Sequence, residues 1–154
     1  MPIRLATSLD SDRILAIRNE PDAIFWSGGR FPVEEATHRR WFEGWFQWMD
    51  ERKAYLLVLE ERGSVVGYSR FAPPEQDGIS VIADVSVAVA RAERGNGYGL
   101  TLLLGLEPYA KMCPRVGLRA KIHLGNYPSL QLFNRAGYHL TDWEGAWQHV
   151  HKTL

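Results

Sequence analysis

One stretch constrains this chain more than any other. Val85-Ser86-Val87-Ala88-Val89 alternates valine with small residues, then passes through Ala90-Arg91-Ala92-Glu93-Arg94 into Gly95-Asn96-Gly97-Tyr98-Gly99-Leu100. The alternation has the period of a strand. Gly95, Gly97 and Gly99 remove side chains where the backbone must curl, leaving successive N–H groups aimed into one concavity. The apolar run that follows opens a helix whose N-terminal end is positive, and Arg94 adds a full charge. Such a turn suits a pyrophosphate. A Walker loop would need Gly-Lys-Ser/Thr, and no lysine sits here. A dinucleotide fingerprint would follow the first strand of a parallel unit, whereas this loop follows the fourth strand. The competing reading is a plain strand-to-helix turn that happens to hold three glycines.

Around this segment the pattern reads as strands at 3–6, 54–60, 65–72, 79–89, 116–122, 138–143 and 146–151, and helices at 10–19, 33–50, 98–111 and 126–135. Asp10 is placed to cap the first helix, with Leu9 stapled on Ile14. Residues 20–32 read as a loop that carries Phe25, Trp26 and Arg30, and Glu61-Arg62-Gly63-Ser64 as a hairpin turn. Pro73-Pro74 and Asp77-Gly78 precede the fourth strand, and Gly137 stops the last helix. The order β-α-α-β-β-β-α-β-α-β-β predicts a mixed α/β sheet with helices on its faces.

At 154 residues the chain suits one domain spanning residues 1–154. Lysine plus arginine and aspartate plus glutamate number 18 each, a balance that argues against a general nucleic-acid binder. Cys113 is the single cysteine, so an intramolecular disulfide is impossible. No signal-peptide core follows Met1, and no apolar run is long enough for a membrane span, which makes a cytoplasmic protein the expectation. His149-x-His151, with His139 nearby, offers no evident third ligand of suitable geometry, so no metal is expected. Trp143 and Trp147 suggest the surface of a homodimer.

Arg94-Gly95-Asn96-Gly97-Tyr98-Gly99 resembles the Arg/Gln-x-x-Gly-x-Gly/Ala signature of the GNAT superfamily of acetyl-CoA-dependent N-acetyltransferases. Asn126-x-x-Ser129-x-x-Leu132-Phe133-x-x-x-Gly137-Tyr138 is similar to that superfamily's second region. The resemblance covers nearly the whole chain. It implies the GNAT fold, a twisted, mostly antiparallel sheet of about seven strands with about four helices. It also implies acetyl-CoA as donor and direct attack by an amine in a ternary complex. On this resemblance the backbones of Val87 and Val89 pair with the pantetheine arm, and Arg94, Gly95, Asn96, Gly97, Tyr98, Gly99 and Leu100 hold the pyrophosphate. Asn126 and Ser129 contact the far side of the cofactor.

The Asp84-Val-Ser-Val-x-Val run resembles the Glu-Val-Ser-Val-x-Val of phosphinothricin-type acetyltransferases, which makes Asp84 the candidate base. The alternative is an aspartate that ties a loop or pairs with an arginine such as Arg70. Phe133 departs from the family, which often has a tyrosine there to protonate the leaving thiolate; Tyr127, Tyr138 and water are the substitutes. Cys113, beside Pro114 at a helix end, reads as filler rather than a covalent relay. Arg18-Asn19 and the Glu34-Glu35-x-x-His38-x-x-Trp41-Phe42 run resemble acetyltransferases of amino sugars and small amino acids. Trp26, His38 and Trp41 are expected to line the acceptor pocket, with Arg30 or Arg70 holding a carboxylate or phosphate; the alternative for His38 is a surface or packed histidine. Trp45 and Trp48 read as ordinary helix packing. The expected acceptor is a small primary amine, an amino acid derivative or amino sugar. A protein N-terminus or lysine, and a non-catalytic acyl-CoA sensor, are the alternatives.

Overall fold

A computed structural model describes residues 3–72, 82–113 and 117–154. The expected features at Pro73-Pro74, Asp77-Gly78, 79–81, Pro114 and Val116 lie outside the described residues. The elements are β1 (Ile3–Leu5), α1 (Ser11–Arg18), α2 (Pro21–Trp26), α3 (Glu35–Asp50), β2 (Tyr55–Glu61), β3 (Ser64–Phe71) and β4 (Ile82–Val89). After these come α4 (Tyr98–Gly105), α5 (Glu107–Lys111), β5 (Gly117–His123), α6 (Tyr127–Arg135), β6 (His139–Glu144) and β7 (Trp147–Thr153). The seven strands form one sheet in the order β1-β2-β3-β4-β5-β7-β6. Every neighbouring pair is antiparallel except β4 with β5.

Two helices are more than the sequence pattern predicts. The expected loop at 20–32 contains α2, because Pro21 opens it with a φ already suited to the first helical turn. The expected helix at 98–111 divides at Leu106, where Pro108 has no N–H to donate back along the helix. The start of α1 also differs. Thr7, not Asp10, caps the short turn Ser8–Asp10, and the Asp10 carboxylate reaches back to the Thr7 N–H at 2.7 Å and to Arg4. Leu9 is 92% exposed, so the staple on Ile14 does not form. The hairpin turn forms as expected, with Arg62 and Gly63 both at positive φ between the paired Glu61 and Ser64. Gly137, at φ +94°, ends α6.

The sheet buries both faces of its first half. Ile14, Ile17, Phe42 and Trp45 from α1 and α3 pack on Leu56, Val58 and Tyr68. On the other face Leu103, Leu106 and Phe133 cover Leu57, Val85, Leu118 and Ala120. Helix α1 packs mainly on β3 and α3 on β2, and beyond β4 residues such as Arg119, Lys121 and His149 line a cleft. Among the described residues no helix is long and apolar enough to cross a membrane.

Candidate active site

The parallel ladder between β4 and β5 is short. It pairs Ile82 with Gly117, Ala83 with Leu118 and Asp84 with Arg119, and beyond that rung the two strands part. On the β3 side β4 continues to pair as far as Val89 opposite Gly67. Ala72 N–H donates to the Asp84 carbonyl and Ala90 N–H to the Val66 carbonyl, so the even-numbered residues of β4 bond to β3. The period of two therefore turns the backbone of Val85, Val87 and Val89 toward the gap. A V-shaped split results, with one wall of outward-facing peptide groups. It widens into a cleft of about 1460 Å³ lined by β4, β5, the glycine loop, α6 and α2.

The glycine loop closes one end of the cleft. Gly95 and Gly97 sit at φ +85° and +80°, and a Cβ on either would meet nothing within 4 Å, so conformation rather than crowding demands glycine there. Gly99 is the reverse case: its Cβ would come 3.0 Å from Leu132 Cδ2, where α4 and α6 press together. Gly97 is the residue before α4, so the helix's free N–H groups open on the cleft. Arg94 is tied back by its Nε donating to the Val89 carbonyl at 3.1 Å and by an ion pair with Asp22. That ion pair holds the Asp22 carboxyl below its ordinary range. Asn96 donates to the Glu93 carbonyl at 2.9 Å, bracing the turn. Asn126 caps α6 by accepting from the Ser129 N–H, and both line the cleft with Tyr98 and Leu100.

Asp84 stands at the apex of the split. Its Oδ1 accepts from Arg119 Nε at 2.8 Å, across the last rung of the parallel ladder. The pairing arginine is thus Arg119 rather than Arg70. Arg119 escaped the sequence reading, although its signal was present: on β5, Arg119 and Lys121 alternate with buried Leu118, Ala120 and Ile122.

Helix α2 spans the cleft mouth as a strap. At one end Glu20 accepts the Arg91 N–H at 3.0 Å and Asp22 pairs with Arg94. At the other Trp26 lies 5.6 Å from the His123 ring, and a Cβ on Gly28 would come within 3.3 Å of Trp147. Trp26 and Arg70 line the cleft, and so does Trp147. Arg30, His38 and Trp41 do not. Arg30 is exposed outside it. His38, 1% exposed, lies behind the wall. Its Nε2 contacts the Ser11 carbonyl at 2.9 Å and its Nδ1 contacts Arg18 Nη1 at 3.0 Å. A carbonyl only accepts and a guanidinium only donates, so Nε2 carries the proton and Nδ1 is bare: the ring is neutral. Burial, with Arg18 beside it, holds its pKa below the histidine range.

Phe133 is buried against the cleft and carries no proton. Tyr127 is 69% exposed outside the cleft, and Tyr138 is buried on a separate small cavity against Leu140 and Val150. Neither lines the cleft. Hydroxyl-bearing residues that line the cleft include Tyr68, Ser86, Tyr98 and Ser129. Cys113 is buried outside the cleft, its Sγ 3.1 Å from the Arg52 carbonyl. Among the described residues no group of three His, Cys, Asp or Glu side chains could hold a metal ion.

Residues 2–139 match the family model described as an acetyltransferase (GNAT) domain. The chain is 29% identical over 145 residues to the L-methionine sulfoximine/L-methionine sulfone acetyltransferase of Pseudomonas paraeruginosa, covering 90% of this chain and 80% of that protein. A Salmonella typhimurium protein solved with its cofactor acetyl-CoA superposes with a TM-score of 0.85 at 25% identity, over 99% of this chain and 93% of that one. The ribosomal-protein-alanine N-acetyltransferase of Brucella melitensis gives 0.84 at 28% identity, over the full length of both.

Proposed function

Because the chain belongs to the GNAT acetyltransferase family, we propose that it moves the acetyl group of acetyl-CoA onto the primary amine of a small molecule, with Asp84 as proton acceptor. The observation that carries this reading is Asp84 at the apex of the split, where the outward peptide groups of β4 and the open face of β5 meet. The α2 strap favours a small acceptor over a polypeptide, because Trp26 on His123 and Gly28 on Trp147 narrow the approach. The Pseudomonas relative acts on amino acid derivatives, which agrees. The Brucella neighbour favours the second reading, acetylation of a protein N-terminus.

Acetyl-CoA supplies the acetyl group as a thioester, whose carbonyl carbon is the electrophile. The residues present fit it. Val87 and the N–H of Val89 offer unpaired peptide groups to the pantetheine amides, while Arg94 occupies the Val89 carbonyl. Gly95, Gly97 and the first turn of α4, through Tyr98, Gly99 and Leu100, line the cleft and present N–H groups to the pyrophosphate, whereas Asn96 is outside that lining and braces the turn. Asn126 and Ser129 border it from α6. An amine of lysine type has a pKa near 10.4, so it arrives protonated and must lose a proton before attack. Asp84 accepts that proton, directly or through one water, and Arg119 fixes the carboxylate's orientation.

The test is Asp84→Asn against the unaltered protein, with free-thiol release and acetyl-CoA titration measured side by side. Loss of a general base lowers kcat by about 10²–10⁴-fold with acetyl-CoA affinity unchanged. A loss below about tenfold in kcat would assign Asp84 to holding Arg119 alone. An alanine-terminated peptide acetylated faster than any small amine would establish the second reading.

A further inference from the structure

We propose that the acceptor carries an oxyanion in addition to its amine, and that Arg18 and Arg70, spread over the indole of Trp41, hold it. The inference rests on the small-molecule reading above and separates the anionic amino acid class from neutral amino sugars.

Arg18 and Arg70 both line the cleft, as does Asp84. Arg70 pairs with Ser86 in the β3–β4 ladder, two residues along from Asp84, and Arg18 comes from the last turn of α1. The Arg18 Cζ lies 4.1 Å from the Trp41 ring centre, and the Arg70 Cζ 5.7 Å from the same ring and 5.6 Å from Trp45. Cation–π attraction holds both groups near the indole, and each guanidinium keeps donors beyond the one Arg18 gives to His38.

Their partners set them apart from other arginines of this chain. Arg4, Arg39, Arg94 and Arg119 each pair with a carboxylate. Among the described residues, neither Arg18 nor Arg70 forms an ion pair. The hydrogen bond of Arg18 to His38 is to a neutral imidazole, which orients the guanidinium without neutralising it. Asp84, the nearest carboxylate on the same strand pair, is already engaged by Arg119. Burial lowers the pKa of both groups, and the charge of Arg18 lowers that of Arg70 further. Two cations withdrawn from water with no protein anion between them are costly unless a bound anion completes the site. A carboxylate, phosphinate or phosphonate offers the paired oxygens that two guanidinium forks take. His38 is then a positioning residue: its bare Nδ1 aims Arg18 at the cleft.

Direct binding is tested on protein saturated with CoA, so that the glycine loop is already filled. Acetate and methylphosphonate are titrated separately, read by calorimetry and by tryptophan fluorescence, since Trp41 lies beneath Arg18. The expected result is saturable binding of at least one, lost in Arg18→Gln and Arg70→Gln and partly restored by Arg70→Lys. Which of the two binds tells a carboxylate site from a phosphoryl site. No saturable binding of either overturns the proposal, whether or not any amine is turned over.

Steady-state rates are then compared within pairs: L-methionine sulfone against its primary amide, and 2-aminoethylphosphonate against its dimethyl ester. The anionic member of at least one pair should be favoured about 10- to 100-fold in kcat/KM. Arg70→Gln should raise KM for that member more than it lowers kcat and erase the preference. Equal use of charged and neutral members, or of glucosamine, overturns the clamp and leaves acetyl transfer standing. Failure of CoA to bind at all would instead remove the acetyltransferase reading.

Discussion

Replacing Gly97 by alanine isolates the conformational demand of the cofactor loop. The residue sits at φ +80°, and its added Cβ would meet no atom within 4 Å, so steric overlap contributes nothing. What remains is the cost of holding an L-residue in the left-handed region, about 1–2 kcal/mol. That cost has two outlets. If the loop keeps its shape, the strain lowers folding stability, and Tm falls by roughly 2–8 °C for a domain of this length. If the loop rotates to relieve it, the N–H groups leave the cradle and acetyl-CoA binds about 5- to 30-fold more weakly. Gly63 supplies the control: it stands at φ +76° in equally open space, but in the β2–β3 hairpin outside the cleft. Gly63→Ala should lower Tm by a similar amount and leave acetyl-CoA affinity unchanged. Asparagine enters the left-handed region more readily than alanine, so Gly97→Asn should recover part of the loss. Calorimetric titration and thermal unfolding of the three variants decide the matter. If Gly97→Ala lowers neither Tm nor affinity relative to the unaltered protein, the loop does not depend on that backbone conformation.

Three further outcomes are expected. Gly67→Ala places a Cβ 2.9 Å from both the Ala88 carbonyl oxygen and Leu102 Cδ1 in the middle of the sheet, and should cost about 1–3 kcal/mol, read as a lower urea midpoint. Neutral His38 is favoured by the fold, so its contribution to stability is complete above the ordinary value of 6.5 and declines as pH falls below it, where the unfolded chain takes up the proton first. His38→Gln should flatten that part of the urea-midpoint profile. Burial would raise the Asp10 carboxyl, but hydrogen bonds from Arg4 and the Thr7 N–H outweigh it and hold it below its ordinary range. Its contribution is therefore present above the unfolded carboxylate range and lost as pH falls through the folded value. Arg4→Met should cost about 1–3 kcal/mol at neutral pH, discounted for the partial exposure of Arg4, and weaken this acid dependence.

Features that depend on a residue and its immediate neighbours were legible in the sequence. Positive φ at Gly95, Gly97 and Gly137, the hairpin at Arg62-Gly63 and the alternation of β4 are all decided within a few residues, because backbone sterics are local. With the spacing of the two motifs, that local information sufficed for the fold and for the bend of the glycine loop. Where helical potential had to be weighed against glycines and prolines, as at Pro21 and Leu106, local reading was insufficient. Leu9 shows the same limit, since the preceding turn swings it into solvent.

The acceptor side was much less legible. Arg119 meets Asp84 from 35 residues away, and Arg18, His38, Trp41 and Arg70 meet across α1, α3 and β3. His38 looked like a pocket residue and is a buried brace, while Arg18, read only as part of a resemblance, faces the cleft. Local sequence determined which backbone could bend around a cofactor. Only the packing of distant elements decided which charges were paired and which were left facing the cleft, because side-chain electrostatics depend on through-space distance and burial, and neither is a property of sequence spacing.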